Sequence, residues 1–281
     1  MVSTLVERLG YGVDERVVIV SADRLGTCHA ANVGVYRSLH DGVVTASALM
    51  MPCPWARHAM YQYRGEDIGV QLTLNAEDDL LRWGPLTHAP SLLDGDGGFP
   101  RTLSDLWDHA DLDEVRRECR AQIERAIVWG FGVTHLTSHL DALVYRPEFF
   151  DIYLDLACEF ALPIRLGGPD AERAAGFPLR SLAADEGIAS PDQVQLVRGG
   201  RDALVRAIAA CTPGVTELVV EPAIRTDELQ ALDPAWAERA AMLDALLLVG
   251  GIDEVLADHH VRRIGYRQLR YTQAGVRTGP R

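Results

Sequence analysis

Apolar and polar positions along the chain alternate between two periods. Residues 17–22 (VVIVSA) form a continuous β-branched apolar run ending at Asp23, the pattern of a strand buried on both faces. Residues 30–40 follow with helical spacing until Asp41-Gly42 breaks it,. The same alternation then repeats. Strands are predicted over 43–51 (closed by Pro52 and Pro54) and over 68–74, with a helix over 56–63 between them. Further along, the pattern predicts strands at 133–140, 162–166 and 216–220 and helices at 147–160, 202–210 and 234–248. A long helix over 106–129 carries a break near Asp111. Residues 167–200 are less regular, with short helices around Ala171 and Leu182 and a strand at 194–197. The chain closes with a helix over 253–258 and a strand over 263–266.

Strand–helix alternation of this kind builds a parallel sheet covered by helices. The expectation is an α/β fold, a TIM-like (β/α) barrel of seven to eight units, in one domain spanning residues 1–281,. One stretch departs from the rhythm. Residues 75–101 hold Gly84-Pro85, Gly95, Gly97-Gly98 and Pro100 with no clear period. A loop of that length inside a compact domain is usually functional, and this one is expected to cover the barrel mouth.

Composition narrows the function classes. All 27 basic residues are arginines, set against 40 acids, for a net charge of −13. Such a surface repels phosphate backbones, so nucleic acid is not an expected partner. The five cysteines (Cys28, Cys53, Cys119, Cys158, Cys211) form no C-x-x-C motif, and reduced thiols in a cytoplasm are expected. The first fifteen residues mix Glu7, Arg8, Asp14 and Glu15 with apolar residues and lack the basic start and apolar run expected of a signal peptide, and the apolar stretch at 240–249 carries Asp244 and is too short to span a bilayer,. The expected partner is therefore a small molecule rather than a membrane, and a homodimer stays open.

Active sites of such barrels lie where the strands end. The first strand ends in Ser21, Asp23 and Arg24; the third in Gln71, Thr73 and Asn75; the late one in Glu221. The fourth is the most telling. His135, Thr137, His139 and Asp141 recur at steps of two, which puts them on one face if the strand extends that far,. Arg165, at the end of the fifth strand, is placed to hydrogen-bond substrate oxygens. Trp55 and Trp83 lie in segments near the mouth, and Cys28-His29 follows the first strand.

As a set, five blocks resemble the YdjC family, also called ChbG/HpnK carbohydrate deacetylases. They are 17–26 (VVIVSADRLG), 42–51 (GVVTASALMM), 69–74 (GVQLTL), 134–147 (THLTSHLDALVYRP) and 218–223 (LVVEPA). The resemblance implies a distorted barrel that removes an N-acetyl group from a sugar-like substrate with metal-activated water. It also implies a divalent ion held by the second acid of the first block and by one histidine each from the third and fourth strands. Asp23 matches the first acid and His139 the fourth-strand ligand. Arg24 stands at the second acid, Gln71 at the third-strand histidine, Thr137 at an aspartate, Asp141 where many members carry a histidine, and Glu221 at a late histidine.

Arginine keeps its charge and has no lone pair to offer a metal, and a carboxamide is a poor ligand beside imidazole. No metal and no other cofactor is therefore expected at the family position. The candidate catalytic residues are Asp23, His139 and Glu221. The candidate substrate-binding residues are Arg24, Gln71, Thr137, Asp141, His135 and Arg165. Arg24 and Glu221 are placed to pair across the mouth, or Arg24 to take an anionic group. Three readings stand: a metal-independent acid/base enzyme on a small polar molecule, such as a natural-product intermediate; a metal-dependent N-deacetylase of an acetylated amino sugar; and a ligand-binding protein without catalysis.

Overall fold

The structure, a computed structural model, describes residues 4–247 and 251–275. Among the described residues, seven parallel strands make one sheet: β1 (Arg16–Leu25), β2 (Ala46–Leu49), β3 (Ile68–Leu72), β4 (Leu136–Ser138), β5 (Gln193–Leu196), β6 (Gly214–Val220) and β7 (Val261–Arg263). Their order is β4-β3-β2-β1-β6-β5, with β7 beside β1. β6 runs along the whole of one edge of β1, from Arg16 to Ala22. On the other edge β7 pairs with Arg16–Val18 and β2 takes over from Ser21. β1 is thus the central strand, and Val17–Val20 are fully buried, as a parallel strand covered on both faces requires.

Every crossover places helices outside the sheet, and the curved sheet with its surrounding helices is a distorted (β/α) barrel. The helix after β1 spans His29–His40, and the one after β4 spans Pro147–Phe160. The expected break near Asp111 divides Leu103–His109 from Leu112–Val128, where Asp111 caps the second helix by accepting from the backbone N–H of Asp113 and Glu114,. The helix expected to end at Leu248 runs Trp236–Leu246, and Leu248 lies outside the described residues, as do the first three residues of the chain.

Three expectations are corrected. The strand over 133–140 contracts to Leu136–Ser138, because Leu140 and Asp141 both take positive φ, 52° and 54°, and turn the chain out of the sheet. The strand over 162–166 is only a bridge between Leu136 and Ile164; Pro163 has no N–H for a ladder, and Gly167-Gly168-Pro169 follows at once,. The closing strand lies at Val261–Arg263, ahead of the expected 263–266, and Tyr266 begins a helix.

The irregular stretch after β3 is firmly held. Glu118, fully buried on the Leu112–Val128 helix, accepts hydrogen bonds from Leu86 N–H (3.0 Å), Thr87 N–H (2.9 Å), the Thr87 hydroxyl (2.7 Å) and Gln122 (3.0 Å). Glu114 holds Ser91 in the same way. Arg82 ties the segment to itself through Ala76 O, Asp94 and Phe99 O.

Candidate functional site

All the strands are parallel, so their C-terminal ends share one rim, and the expected polar residues gather there. At the end of β1 the pairing with β2 slips by one residue between Ala22 and Leu25, and Arg24 takes φ 69°. This is a β-bulge, which bends the strand and re-aims the side chains around it. It points Asp23 inward to the barrel axis and Arg24 toward the mouth.

Asp23 faces a buried guanidinium. Arg165 Nη1 and Nη2 donate to the two oxygens of Asp23 at 2.7 and 2.9 Å, a bidentate pair,. Arg165 also donates to Glu217 Oε1 from Nε (3.0 Å) and Nη2 (2.7 Å), and to Ser21 Oγ at 3.2 Å. Tyr266 completes Glu217 with an O–H bond of 2.5 Å. Burial alone would lower the pKa of Arg165, but Asp23 and Glu217 raise it well above the usual arginine value. Arg165, expected at the mouth, is thus engaged inside the barrel. His135 also lies beneath the site: its ring stacks on Tyr266 at 3.7 Å in the space left by Gly69.

Gln71 Nε2 donates to Asp23 Oδ2 at 3.1 Å, which leaves its Oε1 buried without a partner. Thr137, the register partner of Gln71 across β3 and β4, also has a buried hydroxyl without a partner. Asp141 is the second of the two positive-φ residues in the turn after β4. Burial raises its carboxyl pKa, with Arg165 pulling it down and Asp23 and Glu217 pushing it up.

His139 and Arg24 meet at the mouth over an acid that sequence reasoning missed. His139 Nε2 lies 2.8 Å from Glu77 Oε2. Arg24 reaches the other Glu77 oxygen at 3.4 Å and Asp78 at 2.8 Å. Burial opposes ionisation of Glu77, but the hydrogen bond and charge of His139 and the Arg24 guanidinium prevail, holding its pKa at about 2. The expected Arg24–Glu221 contact does not form: Glu221 pairs at 2.5 Å with Arg239, which also holds Asp233. Beside Glu221 an open cleft of ≈ 340 Å³ is lined by Val197, Arg198, Glu238, Arg239 and Met242.

Two signals for the missed residues were present in the sequence. Glu217 is an acid inside an apolar strand, which is costly unless paired, and Arg165 occupies a similar apolar segment. Glu77, Asp78 and Asp79 form an acidic run just beyond β3. Nothing local marks Arg239 or Tyr266.

The implied metal can be tested against this donor set, and the fit fails. Arg24 offers a cation where a ligand is needed, Gln71 is oriented by Asp23, and Asp23 is taken by Arg165. Among the described residues, no group of three or more His, Cys, Asp or Glu side chains is arranged to hold a metal ion. No helix among them is long and apolar enough to cross a membrane.

A parallel α/β barrel with charged groups around the C-terminal ends of its strands is the architecture of a barrel protein with its site at the rim. A family model described as YdjC-like protein matches residues 17–248, and the chain belongs to that family. A relative named carbohydrate deacetylase from Thermus thermophilus is 37% identical over 265 residues, covering 91% of this chain and 95% of the relative. Another of that name, from Thermoanaerobacter pseudethanolicus, is 26% identical and covers 80% of this chain and 88% of the relative. The crystal structure of a putative cellobiose-phosphate cleavage protein from Enterococcus faecalis superposes with a TM-score of 0.77 at 23% identity, covering 91% of this chain and 99% of that one. At that identity it bears on the fold alone.

Proposed function

We propose that this YdjC-family barrel is a metal-independent acid/base enzyme acting on a small polar molecule, of the kind handled in natural-product assembly. The observation that carries the reading is the His139–Glu77 pair, at 2.8 Å. A histidine oriented by a carboxylate, with its other ring nitrogen free, is the arrangement a general base or acid needs. Among the described residues Nδ1 of His139 has no partner, so it is the nitrogen assigned to proton transfer. Arg24 fixes Glu77 and presents positive charge at the mouth, where it suits an anionic or carbonyl oxygen of the substrate. Asp23 and Glu221, each held by an arginine, fix charge and orientation.

The test is turnover of a panel of N-acetylated and free amino sugars, followed by mass spectrometry after exhaustive chelation. Turnover that survives chelation and falls at least ~100-fold in His139→Gln, the range for loss of a general acid or base, supports the reading. Acetate release that needs added zinc, cobalt or nickel and disappears with chelator overturns it. That result would favour the second reading, a metal-dependent N-deacetylase, which rests on the name of the 37%-identical relative and on the retained Asp23 and His139. Binding without turnover of any panel member would favour a non-catalytic protein.

A further inference from the structure

We infer that Arg24 is a built-in cation: its guanidinium fills a cation site walled by Glu77, Asp78 and His139, and by filling it keeps divalent ions out of the mouth. The inference rests on the metal-independent reading above and names what regulates access of metal to the same site.

The first support is geometry. Three side chains of metal-binding type gather around one guanidinium. Arg24 Nη1 lies 3.4 Å from Glu77 Oε1, and Nη2 lies 2.8 Å from Asp78 Oδ2. The second Glu77 oxygen lies 2.8 Å from His139 Nε2. Two carboxylates and an imidazole are donors that zinc accepts. A guanidinium draws on the same carboxylate lone pairs, but through N–H groups. It therefore holds the oxygens at ~3 Å, where zinc would draw them to ~2.0–2.2 Å. With the guanidinium in place, no three His, Cys, Asp or Glu side chains among the described residues are arranged to hold an ion. The site opens only when the guanidinium leaves.

The second support is the backbone. Arg24 takes φ 69°, a conformation that a residue with a side chain adopts at a cost. The turn is fixed locally, since Arg24 O accepts from the Thr27 N–H at 3.3 Å and from the Thr27 hydroxyl at 2.8 Å. The strained residue is the one whose side chain is carried onto the acids.

The third support is charge. Burial opposes a charged Arg24, yet Glu221, Asp78 and Glu77 together raise its pKa. Glu221 has its own arginine, Arg239. Among the described residues, Arg24 is the one arginine that pairs with Glu77 or Asp78. Without it, two partly buried carboxylates would face the mouth with no fixed counter-ion, an arrangement that attracts a dication. A guanidinium a few ångströms away repels that dication and offers it no lone pair, so the two cannot share the site.

The experiment uses the full chain, stripped of metals by chelation and titrated at neutral pH with zinc chloride against a chromophoric chelator. The parent and Arg24→Lys, which keeps the charge, are expected to show no zinc site that depends on Glu77. Arg24→Ala is expected to bind zinc at least ~10-fold tighter than the parent, the scale on which one neighbouring group alters metal affinity. Arg24→Gln, closer in length, is expected to do the same and serves if Arg24→Ala does not fold. The gain is expected to vanish in Arg24→Ala/Glu77→Gln and in Arg24→Ala/His139→Gln. Methylguanidinium is expected to compete with zinc for the vacated place. Zinc is expected to raise the melting temperature of Arg24→Ala and not that of the parent, because a ligand stabilises the folded form that binds it. A purely structural arginine would lose stability on substitution and gain no metal.

A zinc site in the parent that depends on Glu77, no gain in either neutral variant, or a gain that persists in both double variants overturns the inference. Failure of the parent reading looks different. Turnover that survives His139→Gln would sink the acid/base proposal and leave the zinc gain of Arg24→Ala intact. Turnover that resists chelation, with no zinc gain in the neutral variants, would sink this inference alone.

Discussion

At the scale of single residues the mouth is governed by which charges meet. Glu77 lies between His139 and Arg24, and its lowered pKa has a consequence for stability. A carboxyl whose folded pKa lies below its unfolded value contributes stability that is fully present above the unfolded value and is lost as pH falls through the folded one. For Glu77 that window runs from the ordinary 4.5 down to about 2. Acid titration of the melting temperature is expected to show this loss in the parent chain and a shallower one in Glu77→Gln. Equal slopes would mean that the pair contributes nothing. Gly69 makes a second residue-scale prediction. A Cβ there would sit 2.4 Å from His135 O and 2.6 Å from its ring, so Gly69→Ala is expected to destabilise by about 1–3 kcal/mol, measured by denaturant unfolding. The spacing of His135, Thr137 and His139 was plain in the sequence. Which of them reaches the mouth was not, since that depends on a turn at Leu140 whose positive φ leaves no mark in a leucine.

At the scale of elements the decisive piece is the segment between β3 and the helix Leu112–Val128. Its irregular composition marked it as a cover for the mouth, and the structure shows how it is held. Glu118 collects two backbone N–H groups and a hydroxyl from it. Glu118→Ala would leave those partly buried donors without their acceptor, at a cost of about 1–3 kcal/mol,. Limited proteolysis is expected to cut within 79–101 in that variant and to spare the parent. Uncut loops in both would show that Arg82 and Glu114 suffice to hold the segment. Strand limits were the less legible part, because a strand ends where its ladder partner ends. Residues 162–166 look like a strand locally, but among the described residues the one strand-type pairing they make is the bridge of Ile164 to Leu136, beside a hydrogen bond from Ile164 N–H to Ala189 O.

At the scale of the whole molecule, the barrel is closed on that side less by backbone ladder than by charge. Arg165, on the segment that only bridges β4, reaches across to Asp23 on β1 and Glu217 on β6. Breaking a buried pair by removing one partner costs more than the pair itself contributes, because the remaining charges stay buried and unmatched. Arg165→Met is expected to lower stability by about 3–5 kcal/mol in a single cooperative unfolding transition. Unchanged stability in chemical denaturation would show that the closure is made elsewhere.

The linear chain by itself settled the alternation of strands and helices, the parallel sheet, the burial of β1 and the kinship with the YdjC family, because each depends on local periodicity or on short blocks of residues. Tertiary structure alone decided the ionic partners. Arg24 meets Glu77 and Asp78, Glu221 meets Arg239, and Arg165 meets Asp23 and Glu217, some across more than a hundred residues of chain. Charge attracts without regard to sequence distance, so only the folded arrangement fixes which of the available acids each arginine finds.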